Sequence, residues 1–284
     1  MESTNKVAAL YVVATPLGNI ADITLRALET LRQVDLVACE DTRHTRRLLD
    51  HYDIRVRCCA LHEHNEAATA DKLIVWLGEG KSIALVSDAG TPAVSDPGAR
   101  AVAAVRAAGF PVIPLPGPNA AIAALSAAGL DEGHFHFVGF LPSKPGARRQ
   151  QVDALKSIAA ALVFYEAPHR IVDTVADLAG ILEPQRTLVV ARELTKLFEQ
   201  IEAMPLGDAP AWLAADANRQ RGEFVLLVSA PPPGEGLAGD ALRTLHLLLA
   251  ELPLKQAVRL AADISGAAKN ALYDAALAMK DGHS

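Results

Sequence analysis

Short apolar runs that end in glycine- and proline-rich turns constrain this chain more than any other feature. Ala8–Ala14 breaks at Thr15-Pro16-Leu17-Gly18-Asn19, Ile83–Ser87 breaks at Asp88-Ala89-Gly90-Thr91-Pro92, and Val112–Leu115 breaks at Pro116-Gly117-Pro118. Helical patterns fill the intervals. One starts near Asp22, a good N-cap, with Leu25, Leu28 and Leu31 close to helical spacing. Another opens on Ser95-Asp96-Pro97 and stops at Gly109. Between them Val34–Cys39 reads as a strand that delivers Glu40 and Asp41 at its C-terminal end. Strands alternating with helices of this length predict βαβ units and a largely parallel sheet.

The best internal boundary is the Pro/Gly cluster at 114–118. Beyond it strands are expected at His134–Phe140, Leu162–Tyr165, Leu188–Ala191 and Phe224–Ser229. Helices are expected at about Ala120–Ala128, Arg170–Leu182 and Pro210–Asn218. A Pro/Gly linker covers 230–239, and three helical stretches follow: Ala241–Glu251, Leu254–Ile264 and Ala267–Met279. The expected organisation is an α/β domain at 1–117, a second α/β domain at 118–230, and a linker with a helical tail at 231–284.

With 51% hydrophobic and 21% charged residues, the chain can bury sizeable cores. Its apolar runs are far shorter than the ~18–20 residues of a membrane helix. MESTNKVAAL lacks the charged-then-apolar layout of a signal peptide. Cys39, Cys58 and Cys59 form no disulfide framework, so the cytoplasm is the expected compartment. Net charge is −6, which weighs against a nucleic-acid partner unless basic residues gather locally. They do so at 41–57, where Arg43, Arg46, Arg47, Arg55 and Arg57 stand against Asp41, Asp50 and Asp53, with His44 and His51 interleaved. From charge alone, a solvated helix face is the favoured explanation of such a stretch.

No G-x-G-x-x-G follows the first strand and no Walker loop is present, which disfavours a Rossmann dehydrogenase or a P-loop NTPase. His62 and His64 share a strand face but have no cysteine partners at zinc spacing, so no metal is expected. Open α/β sheets bind ligands outside the carboxyl ends of their strands. Three Gly/Pro loops at such ends in one domain therefore favour a ligand cleft.

Those loops belong to a longer set of stretches: ATPLGNIADITLRAL (14–28), DLVACEDTRHTRRLL (35–49), LHEHNE (61–66), ALVSDAGTPAVSDPG (84–98) and PLPGPNAAIAALSAAGL (114–130). FVGFLPSK (137–144), VFYEAPHRI (163–171), ARELTK (191–196) and the tail segment 251–277 continue it. In this order they resemble the tetrapyrrole-methylase superfamily, and within it the branch that 2′-O-methylates a cytidine of 16S ribosomal RNA. Ala14 and Asn119 depart from the usual pattern, where proline and a small residue or cysteine are common.

The resemblance implies S-adenosylmethionine held between two domains. It implies contacts from Thr15, Pro16, Leu17, Gly18, Ser87, Asp88, Ala89, Gly90, Pro92, Pro116, Gly117 and Ala120, closed by Phe140, Leu141, Glu166 and Ala191. It further implies RNA phosphate contacts from Arg43, His44, Arg46, Arg47, Lys144, Arg148, Arg149 and Arg170, a 30S subunit as the setting, and a homodimer. A ribose hydroxyl is a poor nucleophile, so a positioned base or cation is expected to assist it. Asp88, Glu166 and His169 are the leading acid–base candidates, with His64 and Glu66 behind them. Two rival readings share the fold: a methylase of a tetrapyrrole or other small molecule, and a non-catalytic RNA- or ribosome-binding protein.

Overall fold

The first sheet is built from five short strands, β1 (Leu10–Val13), β2 (Leu36–Cys39), β3 (Arg57–Ala60), β4 (Ile83–Val86) and β5 (Val112–Leu115). The computed structural model describes residues 7–62, 66–232 and 239–281. Strand order is β3-β2-β4-β1-β5 and every pair is parallel. Parallel crossovers place helices on both faces, so the central strands are apolar at every position. In β2, Val37 and Cys39 enter the core beneath α1 (Leu25–Gln33) and α2 (Thr42–His51), while Leu36 and Ala38 enter the opposite one. That second core is covered by α3 (Glu66–Gly78) and α4 (Ala99–Ala107).

Two helix starts differ from the sequence expectation. α1 begins at Leu25 because Thr24, not Asp22, is the cap: its side chain accepts from the Ala27 N–H at 3.1 Å. Asp22 closes a 3₁₀ turn, Ile20–Asp22, that Asn19 caps. Likewise α4 does not open on Ser95-Asp96-Pro97. Ala93 and Ser95 are left-handed, at φ 65° and 64°, and Gly98 sits at φ 128°. The helix therefore starts only at Ala99 and has no capping side chain of its own.

The second sheet contains β6 (Phe135–Phe140), β7 (Ala161–Glu166), β8 (Thr187–Arg192), β9 (Gln200–Pro205) and β10 (Phe224–Val228), in the order β6-β7-β10-β8-β9. Only β6 and β7 run parallel; the other three pairings are antiparallel. α5 (Ala120–Ala128) packs Ala121 and Ala124 on one face. The other face carries α6 (Pro145–Leu155), α7 (Ile171–Ile181) and α8 (Ala209–Ala214). The single helix expected at 210–218 is α8 followed by a separate 3₁₀ turn, Ala217–Gln220, which Asp216 caps through the Asn218 N–H.

Three helices close the described chain: α9 (Gly239–Glu251), α10 (Leu254–Ser265) and α11 (Lys269–Asp281). Gly266, at φ 70°, ends α10 in a left-handed cap. Ala241, Leu245, Val258, Ala261, Leu272 and Ala276 give these helices a small core of their own. Among the described residues, no helix is long and apolar enough to cross a membrane.

Candidate active site

The three Gly/Pro loops of the first sheet are clipped together at its carboxyl edge. Thr15 and Gly90 exchange backbone hydrogen bonds, each of 2.9 Å. The buried Thr15 hydroxyl donates to the Ser87 carbonyl at 3.0 Å, and the Ser87 hydroxyl donates to the Ala89 carbonyl at 3.1 Å. Thr91 ties in the third loop by donating to the Pro118 carbonyl at 2.9 Å. At Gly117 any side chain is excluded, because a Cβ there would lie 2.8 Å from that of Ala14. The loops thus form one rigid rim.

Facing this rim is the second sheet. Between them lies a cavity of about 320 Å³, with Leu17, Ala89, Gly90 and Asp96 on one side and Ala120, Phe140, Tyr165 and Glu166 on the other. Tyr165 anchors the second wall. Its hydroxyl accepts from the Ala121 N–H at 3.2 Å, and the rings of Phe137 and Phe140 meet it edge-on at 5.1 and 5.7 Å. An adjoining hollow of about 600 Å³ takes in Thr15, Pro16, Gly18 and Asp88, and shares Leu17, Ala89 and Glu223 with the first.

Carboxylates gather where the strands end. Asp96 has its pKa pushed up to about 6, first by burial and then by Glu40, against the opposing pull of the Ser87 hydroxyl. Burial also raises Glu40, with Asp88 and Asp41 adding to the effect and His62 opposing it. Asp88 accepts from the Asp41 N–H at 3.1 Å, which fixes the start of α2. Asp41 in turn caps α2 through the Arg43 N–H at 2.8 Å, and the Arg43 side chain holds its carboxyl at about 2.

Residues 9–210 match the family described as Tetrapyrrole (Corrin/Porphyrin) Methylases, and residues 235–280 match the RsmI C-terminal HTH domain. A relative from Escherichia coli O157:H7, "Ribosomal RNA small subunit methyltransferase I", is 53% identical over 274 residues, which is 96% of either chain. The protein of that name from Pseudomonas aeruginosa is 51% identical and covers 94% of this chain and 96% of its own. The chain belongs to the ribosomal RNA small subunit methyltransferase I branch of the tetrapyrrole methylases. Among solved structures, the cobalt precorrin-4 methyltransferase CbiF superposes with a TM-score of 0.59 at 16% identity, covering 78% of this chain and 95% of that one. At that identity the likeness speaks for the fold alone.

For this methylase the structure sorts the residues that the family pattern suggests. Leu17, Ala89, Gly90, Ala120, Phe140 and Glu166 line the main cavity, while Thr15, Pro16, Gly18 and Asp88 line the adjoining hollow. Ser87, Pro92, Pro116, Gly117, Leu141 and Ala191 line neither. Ser87 is buried beneath the rim, Leu141 is buried in the second-sheet core, and Ala191 lies under the cavity floor with Val225. Pro92 is buried, and Pro116 and Gly117 are exposed. Asp96, Asn119, Tyr165, Leu194 and Val225 also line the cavity and carry no separate signal in the sequence.

The acid–base candidates separate too. Glu166 is buried with both oxygens engaged: Oε1 accepts from the Ala167 N–H at 2.8 Å and faces Arg170 at 3.3 Å, and Oε2 accepts from the Thr174 hydroxyl at 2.6 Å. His169 is exposed on the turn and lines neither hollow. Glu66 is a helix cap, and His64 lies outside the described residues.

Of the expected phosphate contacts, Arg148 is corrected and the others differ in their surroundings. Arg148 is buried in an ion pair with Asp177 at 2.6 Å and presents no charge to solvent. Arg170 donates to the carbonyls of Leu141 and Pro142 at 2.6 and 3.2 Å, bracing the end of β6. Arg46 donates to the Val56 carbonyl at 3.1 Å and so ties α2 to β3. Arg43 is exposed and paired with Asp41, Lys144 and Arg149 are exposed at the start of α6, and His44 and Arg47 line the adjoining hollow.

Proposed function

We propose that this chain transfers the methyl group of S-adenosylmethionine to the 2′-hydroxyl of a cytidine in 16S ribosomal RNA. The observation that carries this reading is full-length similarity, at 53% identity over 96% of either chain, to a protein named for that class of reaction. The main cavity suits the cofactor chemically: its wall is largely apolar (Leu17, Val94, Phe140, Leu194), and Asp96 offers a carboxylate to a cation. S-adenosylmethionine, when bound, supplies an electrophilic methyl on a positively charged sulfur.

The remaining work falls to the chain's own side chains. In-line displacement at a methyl carbon is governed by orientation, and the clipped loops provide a rigid rim against which both reactants are aligned. Asp96, charged above about pH 6, sits beside the cationic sulfur's cavity. Asp88 supplies the carboxylate that takes the ribose proton. It lies in the hollow next to Ala89, and among the described residues only its Oδ1 is hydrogen-bonded. Asp88 would accept the proton that the ribose hydroxyl gives up as that hydroxyl takes the methyl group the bound cofactor would supply.

On this reading residues 1–117 supply the rim and the base, 118–230 close the cavity, and 231–284 form an appended helical module. Lys144, Arg149 and Arg43 assist by contacting phosphates, and the working form is a cytoplasmic homodimer acting on the 30S subunit. Tritiated S-adenosylmethionine with 16S rRNA or 30S subunits tests the reaction, and light scattering tests the dimer. Label on the ribose of one cytidine supports the reading; label on a base, or on an added tetrapyrrole precursor alone, overturns it.

A further inference from the structure

Two of the three cysteines share one face of the first sheet. Cys39 of β2 and Cys58 of β3 both enter the core beneath α2, while Cys59 turns to the opposite core. In the parallel register Cys58 stands opposite Val37, two residues short of Cys39, so the two side chains are diagonal neighbours. Their exposure differs. Cys39 is fully buried, whereas Cys58 lies on an edge strand and is half-buried.

Helix α2 supplies what surrounds the sulfurs. Arg46 donates to the Cys58 sulfur at 3.5 Å with the same Nη2 that holds the Val56 carbonyl. Thr45, its neighbour, is buried, and its hydroxyl has no hydrogen-bond partner. The pocket therefore holds more donors than it uses and is short of an acceptor. The Cys58 thiol is drawn down to about 7, first by hydrogen bonding with Cys39; Arg46 adds to the fall, and burial and the Asp50 carboxylate oppose it. The other two thiols move the opposite way, Cys59 pushed up by burial and Cys39 by Cys58 and then burial. At pH 7 Cys58 is thus about half thiolate, where a thiol at the ordinary 9.0 is about one part in a hundred. A partly exposed sulfur beside a cation is the setting in which thiols react, and deep burial is the setting in which they are inert.

We propose that Cys58 is a modification site, a thiol that hydrogen peroxide oxidises to a sulfenic acid held by Arg46. The Cys58 thiolate attacks one peroxide oxygen, so that a sulfur–oxygen bond forms as the oxygen–oxygen bond breaks. Sulfur is oxidised and the peroxide is reduced; the departing hydroxide takes a proton from solvent and leaves as water. The new oxygen supplies the acceptor that the pocket lacks, within reach of the guanidinium already on the sulfur. Neither the cofactor cavity nor methyl transfer enters this chemistry, so the site stands or falls apart from the reaction proposed above.

The full chain, reduced and freed of reductant, is treated with hydrogen peroxide in the presence of dimedone, which traps sulfenic acids, and the adduct is mapped and timed by peptide mass spectrometry. Cys58 should label about tenfold faster than Cys39 or Cys59. Its rate should rise with pH to half its maximum near 7. Cys59→Ser should leave label and rate unchanged, and Cys58→Ser should remove the fast label without exposing another. Arg46→Ala should slow labelling about fivefold at pH 7 and move the profile to higher pH, and Arg46→Lys, which keeps the charge, should restore most of both. Thermal melts of each variant report whether it is folded; should Arg46→Ala fail to fold, the wild-type profile and the comparison with Cys59 still decide. Label that appears on Cys39 or Cys59 as fast as on Cys58 overturns the proposal. So does a wild-type chain that takes no label, or a folded Arg46→Ala with the wild-type rate and profile.

Discussion

Glu66, the first residue of α3, accepts a hydrogen bond of 3.0 Å from the N–H of Gly98, the residue before α4, and so caps that helix with a carboxylate from another. The same Oε1 accepts from the N–H groups of Arg100 and Ala101 at 2.8 and 3.3 Å. A buried anion at a helix N-terminus satisfies donors that the helix leaves open and complements its dipole. Here it also anchors the left-handed segment 93–98 that carries Asp96 to the cavity. Glu66→Ala should therefore cost about 2–3 kcal/mol in urea denaturation, the penalty of stranding buried donors beside a lost charge. It should also weaken S-adenosylmethionine binding in calorimetry. Unchanged stability would refute the capping role.

Asp96 gives the cleft a pH dependence of defined sign. Its folded pKa, about 6, lies above the ordinary 3.8, so the folded state holds the proton more tightly. The stability it contributes is complete below about pH 4 and is lost as pH rises through 6. Solvent screening keeps the loss to about 1 kcal/mol. Asp96→Asn should flatten this part of the stability profile. Cofactor affinity should run the opposite way, tightening from pH 5 to 7 as the carboxylate ionises beside a cationic ligand. That rise should vanish in Asp96→Asn; its persistence there would contradict the assignment.

Gly18 packs its backbone against the side chain of Lys196, from the segment between β8 and β9. Gly18→Ala places a methyl group 2.2 Å from the Lys196 Cγ, so the lysine must leave its carboxylates. Methylation of 16S rRNA should fall at least tenfold in kcat/KM, while overpacking at this surface costs no more than about 1–2 kcal/mol. Wild-type kinetics would show that the wall formed by Lys196 is unimportant.

Arg148→Ala should destabilise the chain by about 2 kcal/mol, because it removes a buried guanidinium from the inward face of α6 and leaves the half-buried Asp177 with only Arg149, at 3.7 Å. RNA affinity measured on the folded fraction should not move. A selective loss of RNA binding would restore Arg148 as a phosphate contact.

Much of this architecture is written plainly in the chain. β2 and β4 are buried at every position and β1 at both ends, and the edge strand β5 is apolar throughout, so all four read as continuous apolar runs bounded by turns. β3 escapes notice because it is an edge strand with Arg57 and Ala60 exposed. α6 is hidden for a different reason: its inward face is Arg148, Val152 and Leu155, so a charge occupies a core position and breaks the apolar period. α3 likewise buries Glu66 and Thr69.

The site divides along the same line. Its rim is legible because only Gly and Pro make such loops, and they fall at successive strand ends. Asp96 is not, since an acid before a proline is also the signature of a helix start, and only the left-handed turns at Ala93 and Ser95 delay that helix. Nor does charge alone reveal which arginines are free. The partner that neutralises Arg148 lies 29 residues away, and the one that would neutralise Arg47 is absent among the described residues.

The account is tested most directly by incubating the full chain with tritiated S-adenosylmethionine and 30S subunits, then digesting the 16S rRNA to nucleosides. It predicts label in a single 2′-O-methylcytidine, abolished by Asp88→Asn with cofactor affinity retained. Label in a base, or none in RNA while a tetrapyrrole precursor is methylated, would contradict it.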